Sequence, residues 1–230
     1  MLIATDGACK RNGKPDCLST GVAWIQTESG NYLFKAKIEM ESTSQRGEIN
    51  GLLEGLKYAT HNAAPNEDII IISDSEYLCN TVSLGWCYKW RDNGWTNADG
   101  QATKNADLWN HACNYLSVLN QHHERVFIEW TKGHTVHYTA GAIKQALAID
   151  PTAIELFTRV TTMANRIADR DNIINRFLKE RIEHSKLAVP REIALEWAIA
   201  NCMADSLAGY IVKLADEQIF IHNVSNGLMA

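Results

Sequence analysis

The chain has 230 residues, 46% of them hydrophobic and 21% charged, with a formal net charge of −5. This is length enough for one full domain, or one domain with a sizeable insertion, and the composition is that of a globular protein. No apolar run approaches the about 20 residues of a membrane span, and the acidic balance gives no sign of a protein that coats nucleic acid by charge alone.

Residues 2–8 read as a strand that begins almost at Met1, which leaves no room for a signal peptide. A turn containing Lys, Asn, Gly and Pro follows at 10–15. Residues 19–27 and 31–40 read as two further strands joined by Glu28-Ser29-Gly30, an antiparallel meander. Over 45–62, Ile49, Leu52, Leu53, Leu56 and Ala59 fall on one helical face. Gly47, Gly51 and Gly55 recur at every fourth residue of that helix. Glycine is a poor helix former, so the stripe predicts close packing against a neighbour. Residues 68–74 form a buried strand by length and β-branching, with Asp74 at its C-terminal end, where α/β sheets place ligand sites. Helices are predicted over 75–91 and 105–122, and a fifth strand over 125–132. That order predicts a mixed sheet with helices on its faces.

The stretch from 136 to 190 has a different character. Ile154, Phe157, Val160, Ala164, Ile167, Ile174, Leu178 and Ile182 track a helical period. Pro190 breaks it, and Arg191 to Glu217 reads as another long helix, followed by a short tail without a clear period. Six cysteines (Cys9, Cys17, Cys79, Cys87, Cys113 and Cys202) show no C-x-x-C spacing. They read as reduced thiols of a cytoplasmic protein and not as a disulfide or zinc framework.

Four acidic residues stand in distinctive settings: Asp6 in Thr5-Asp6-Gly7-Ala8-Cys9, Glu48 in Arg46-Gly47-Glu48-Ile49, Asp74 after Ile70-Ile-Ile-Ser73, and Asp205 in Asn201-Cys-Met-Ala-Asp205. Hard divalent cations take oxygen ligands, and clustered carboxylates can hold two Mg2+ ions for phosphodiester hydrolysis. Any one of these residues alone reads as a solvated surface acid. Asp6, Glu48 and Asp74 come from separate elements, and together they point to a metal site. Such a cluster resists full ionisation unless cations are present.

The chain resembles the type 1 ribonuclease H (ribonuclease HI) family, which cuts the RNA strand of RNA/DNA hybrids. Besides the acidic motifs, Trp86-Cys-Tyr-Lys-Trp90 with Asn93-Gly-Trp95 resembles the family's tryptophan-rich helix and basic handle. Lys104-Asn105-Ala-Asp107-Leu-Trp109 and Trp130-Thr-Lys132-Gly-His134 resemble two more of its motifs, in the family's order. The fold implied is α/β: an RNase H-like five-stranded mixed sheet flanked by helices, plus an inserted helical subdomain. Residues 1–135 and 200–217 would form the catalytic domain, 136–199 the insertion and 218–230 a C-terminal tail. Two departures stand out. The family's last Asp follows the Gly-His motif closely, whereas Asp205 lies far beyond His134. The handle keeps Lys89 and Arg91 but is poor in cations, and Glu41 stands where a basic residue is common.

The resemblance implies a two-metal endoribonuclease giving 5′-phosphate and 3′-hydroxyl ends, with Mg2+ as cofactor and Mn2+ as a substitute. Asp6, Glu48, Asp74 and Asp205 would be the metal ligands, and His134 would shuttle a proton. Within the long segment, Asn165-Arg-Ile-Ala-Asp169 repeats the spacing of Asn201-Cys-Met-Ala-Asp205; the Ser-Leu-Ala that follows favours Asp205. Cys9, Asn12, Ser44 and Gln45 would contact the RNA strand, Thr43 and Asn105 a DNA phosphate, and Trp86 the DNA channel. Arg46 and Lys104 read equally as phosphate contacts or as surface cations. The partner implied is an RNA/DNA hybrid, with no membrane, no obligate protein partner and a monomeric state. Another nuclease of the same superfold, of integrase or resolvase type, remains an alternative, as does a hybrid-binding module whose catalysis has decayed.

Overall fold

The computed structural model describes residues 1–123, 125–181 and 189–225, without the side chains of 167, 180, 181 and 220–225. Strands β1 (Leu2–Lys10), β2 (Leu18–Gln26) and β3 (Tyr32–Met40) form the antiparallel meander. Strands β4 (Ile69–Ser73) and β5 (Val126–Trp130) join in parallel on the other side of β1, giving the order β3-β2-β1-β4-β5.

Alternation along the strands divides the core into two layers. Ile3, Ala23, Ile25, Ile69 and Ile71 face helix α1 (Ser44–Asn62) and helix α4 (Ala106–His122), and Trp109 and Leu116 are buried in the same cluster. Leu2, Ala4, Val22, Trp24 and Ile72 face the opposite way. There helix α8 (Arg191–Ser225) covers β1 and β2, and helix α5 (Ala140–Ile149), helix α6 (Ile154–Ala164) and helix α7 (Ile167–Arg181) pack on α8 within the same cluster. Much of the apolar stripe read over 154–178 is core: Val160, Ala164 and Ile174 are buried in one cluster with the sheet and Phe157 and Leu178 pack against it, whereas Ile154 is 40% exposed. Ile182 lies outside the described residues. The Trp24 ring stacks on Phe157 of α6 at 5.5 Å between centroids, and truncating so large a buried ring to alanine costs about 3–5 kcal/mol.

The glycine stripe does what its spacing predicts. A methyl group on Gly51 would lie 2.8 Å from the Asp6 carbonyl oxygen and 2.9 Å from that of Val22, and one on Gly47 would lie 3.1 Å from the Thr20 carbonyl. Backbone-to-backbone approach of α1 onto β1 and β2 brings the first turns of α1 against the strand that carries Asp6.

Two elements differ from the sequence reading. The helix expected over 75–91 is broken into α2 (Glu76–Ser83) and α3 (Trp86–Asp92), because Gly85 adopts a left-handed φ of 68° between them. Helix α8 runs to Ser225, past Glu217, so the start of the expected tail is helical; residues 226–230 lie outside the described residues. None of the described helices is long and apolar enough to cross a membrane.

Candidate active site

Three carboxylates converge at the C-terminal end of the parallel strands. Asp6 projects from β1, Glu48 from the second turn of α1, and Asp74 follows β4 directly. One oxygen from each lies within 4.8 Å of the others. Local chemistry fixes each donor. Thr43 caps α1, its hydroxyl accepting from the Arg46 backbone N–H at 3.2 Å. Ser75 caps α2 in the same way, accepting from the Leu78 N–H at 3.4 Å, which turns the chain immediately after Asp74. Trp130 Nε1 donates to the Asp74 carbonyl at 3.0 Å.

Helix α8 brings the fourth carboxylate. Asp205 is half-buried, and its Oδ2 lies 3.5 Å from His134 Nδ1. Asn201, one helical turn earlier on the same face, is buried and acts by hydrogen bonding to hold the Asp74 pKa down. In the sequence Asn201 stands out only as the first residue of Asn201-Cys-Met-Ala-Asp205. Its i, i+4 spacing from Asp205 was the available signal that both face one site. Asp169 lies elsewhere: it is exposed at the start of α7 and lines a separate cavity with His137, Met163 and Arg176.

Burial first, and then the charges of Asp74 and Asp205, raise the Asp6 pKa well above the ordinary 3.8. Glu48 is raised well above 4.5 by burial and then by Asp6 and Asp74. Asp74 is raised by burial and by Asp205, with His134 and Asn201 opposing. Burial raises Asp205 too, and His134 and His137 pull it back. Glu48 Oε2 is buried without a hydrogen-bond partner. An oxygen-only donor set, mutual repulsion and an unpartnered buried carboxylate oxygen fit a divalent cation held by Asp6, Glu48 and Asp74.

The residues expected to contact substrate lie on β1 and the turn after it and at the starts of α1, α3 and α4. Asn12 and Ser44 lock together, Asn12 Nδ2 donating to Ser44 Oγ and the Ser44 N–H donating to Asn12 Oδ1, both at 3.2 Å. Gln45 is exposed in the first turn of α1. Cys9 is half-buried with its Sγ 2.7 Å from Cys17 Sγ; burial, then Cys17, pushes its thiol up to about 12, so it stays protonated. Asn105 caps α4 with a left-handed φ of 57°.

Arg46 is fully engaged. Its guanidinium pairs with Glu39 at 2.7 Å and with Asp107 at 2.8 Å, tying the start of α1 to the start of α4. It is therefore a structural cation, whereas Lys104 is exposed. The two helix N-termini that carry Thr43 and Asn105 are thereby set side by side. On the handle, Trp86 stays 36% exposed with its ring 6.4 Å from Trp90. Trp109 is core, and its Nε1 donates to the Tyr77 hydroxyl at 2.9 Å. Of the segment's arginines, Arg159 is paired with Glu155, and Arg166 and Arg170 are exposed.

A family model described as RNase H matches residues 1–170. That match ends just past Asp169, whereas Asp205 is the residue whose charge acts on the carboxylate cluster. The chain is 35% identical over 137 residues to a ribonuclease HI of Neisseria meningitidis serogroup B, covering 60% of this chain and 85% of that one. It is 30% identical over 135 residues to a ribonuclease H of Caldicellulosiruptor saccharolyticus, covering 59% and 84%. Among solved structures it is similar to LC9-RNase H1, a type 1 RNase H with the type 2 active-site motif, at 21% identity and a TM-score of 0.46 over 75% of this chain and 84% of that one.

Proposed function

The chain belongs to the RNase H family, and on that premise we propose that it hydrolyses the RNA strand of RNA/DNA hybrids with Asp6, Glu48, Asp74 and Asp205 as ligands for two Mg2+ ions. The observation that carries this reading is the convergence of Asp6, Glu48 and Asp74, from three separate elements, to within 4.8 Å. When bound, the ions supply Lewis-acid stabilisation of the scissile phosphate and a water of lowered pKa, which accords with 5′-phosphate and 3′-hydroxyl products; Mn2+ is the expected substitute. Asp6 holds the centre of the set because it feels Asp74 and Asp205 and is felt by Glu48. His134, two-thirds exposed and beside Asp205, moves a proton as product leaves.

Recognition of the hybrid falls to the rim. Cys9, Asn12, Ser44, Gln45 and Glu48 face the RNA strand and its 2′-hydroxyls. Thr43 and Asn105, at two adjacent helix N-termini, take a DNA phosphate, since such termini present unsatisfied N–H groups to anions. Trp86 offers an exposed aromatic face to the DNA strand. The six unbridged cysteines support a cytoplasmic setting.

Cleavage assays on labelled RNA/DNA hybrid, duplex DNA and branched DNA in Mg2+, with Asp74→Asn as control, test the proposal. Cuts confined to the RNA strand of the hybrid and lost in the variant are expected. Cutting of branched DNA instead would indicate an integrase- or resolvase-type activity, and tight hybrid binding without cutting a decayed module.

A further inference from the structure

A cavity of about 410 Å³ opens between α5 and α8, and it begins at the active site. Asp205 and Ser206 form its inner end. Tyr210 and Lys213 continue the wall along α8, and Tyr138 and Lys144 face them from the α5 side. Both tyrosines are half-buried, packed at their base against the core while they line the cavity. Lys213 has Glu217 at 3.9 Å, an exposed pair of the weak kind.

Two glycines also line the space. Gly209 lies in the interior of α8 and Gly141 in the first turn of α5, and a methyl group on either would meet nothing. The contrast with Gly47 and Gly51 is sharp, because there the backbone of a neighbouring strand demands glycine. Glycine inside a helix weakens it relative to alanine. At Gly209 no contact among the described residues compensates, and the missing side chain leaves the groove open there.

The space suits one or two nucleotides and is far too small for a duplex. Aromatic faces with interleaved lysines are the chemistry that holds single-stranded nucleic acid, bases on the rings and phosphates at the ammonium groups. Because the groove starts at Asp205, a strand lying in it would be continuous with the strand at the carboxylates. We propose that the α5–α8 groove binds an unpaired segment of the RNA strand that leaves the hybrid beside the cut, so that the protein prefers hybrids carrying a short RNA flap. This rests on the ribonuclease H reading above.

The test compares kcat/KM for a flush hybrid and for the same hybrid with an unpaired RNA flap of a few nucleotides. The wild-type protein is expected to favour the flapped substrate about tenfold, within the range of stacking one base on an aromatic side chain. Tyr210→Ala, Lys144→Ala and the groove-filling Gly209→Trp should each erase most of that preference and leave the flush hybrid unaffected. Equal rates on both substrates in the wild type, or a preference that survives all three substitutions, would overturn the proposal. Fluorescence anisotropy of a labelled RNA tetranucleotide provides a readout without cleavage. Weaker binding to Tyr210→Ala and Gly209→Trp supports the groove, and binding unchanged by both refutes it. If the wild type cuts neither hybrid, the ribonuclease reading fails while the anisotropy result still decides the groove.

Discussion

His134 Nδ1 lies 3.5 Å from Asp205 Oδ2, which joins the loop after β5 to α8 across the whole of the α5–α7 segment. The two residues are far apart in sequence, yet the charge on Asp205 also acts on Asp6, Glu48 and Asp74. The helices of the long segment pack on α8, which itself covers β1 and β2, and α6 also reaches the sheet, at Trp24, so the segment leaves Asp205 beside the other three carboxylates.

Substituting the two competing aspartates separates them. Asp205→Asn removes a carboxylate from the cluster and is expected to lower kcat on the order of 100-fold or more, as losing one group that stabilises transition-state charge commonly does. Asp169→Asn, at the exposed start of α7, should leave kcat unchanged. Single-turnover cleavage of a hybrid measures both, and the reverse ranking would move the fourth ligand to Asp169.

His134→Ala should slow turnover without abolishing it. General acid–base assistance is commonly worth about 10²-fold or more, but the carboxylates proposed to hold the metal remain. The variant should therefore sit on the order of 100-fold below wild type with KM little changed. A kcat equal to wild type would remove His134 from the chemistry.

The raised pKa values of Asp6 and Glu48 make stability depend on pH and metal together. A carboxyl whose pKa is higher in the folded than in the unfolded chain binds its proton more tightly when folded. Its contribution is fully present below the unfolded values, 3.8 and 4.5, and is lost as pH rises through the higher folded ones. In EDTA, the wild type should therefore lose more stability between mildly acidic and neutral pH than Asp6→Asn does. Mg2+ should restore stability at neutral pH and do little in acid, where protons compete for the same oxygens. Thermal melts of both proteins across pH, with and without Mg2+, check the sign; stabilisation by Mg2+ independent of pH would contradict it.

Much of this was legible because the signals were local. Alternation and β-branching marked the strands, and the three glycines of α1 announced a close approach that the Asp6 and Val22 carbonyls supply. The break at Gly85 was missed because the apolar period runs across it, although its left-handed φ is what glycine permits. The extension of α8 to Ser225 carried no stripe to read, since a nucleated helix propagates at little cost without one. Arg46 could not be assigned from sequence because both partners, Glu39 and Asp107, come from other elements. Asn201 and Asp205 were readable only as a pair, by their spacing on one helix face.

Gly51→Ala should be costly. Its new methyl would lie 2.8 Å from the Asp6 carbonyl oxygen, and strand backbone has little freedom to retreat. Overpacking of this kind costs about 1–3 kcal/mol, and here it also pushes α1, with Glu48, away from Asp6. Gly55→Ala meets the Ile3 Cγ2 methyl at the same 2.8 Å, but a side chain can turn aside, so a smaller loss is expected. Urea unfolding of the two variants, with activity measured in parallel, should rank Gly51→Ala as the more damaging in both.

Gly209→Ala carries the opposite sign. The residue is exposed in the interior of α8 with open space around its Cα, so alanine adds no clash and improves helix propensity. The expected gain is about 0.5–1 kcal/mol, visible as a higher urea midpoint at an unchanged slope. A methyl group leaves most of the groove open, so cleavage of a flush hybrid should be unaffected while any flap preference declines only slightly. A loss of stability would mean that Gly209 is required by the helix itself, and the argument that its bareness serves a ligand would fail with it.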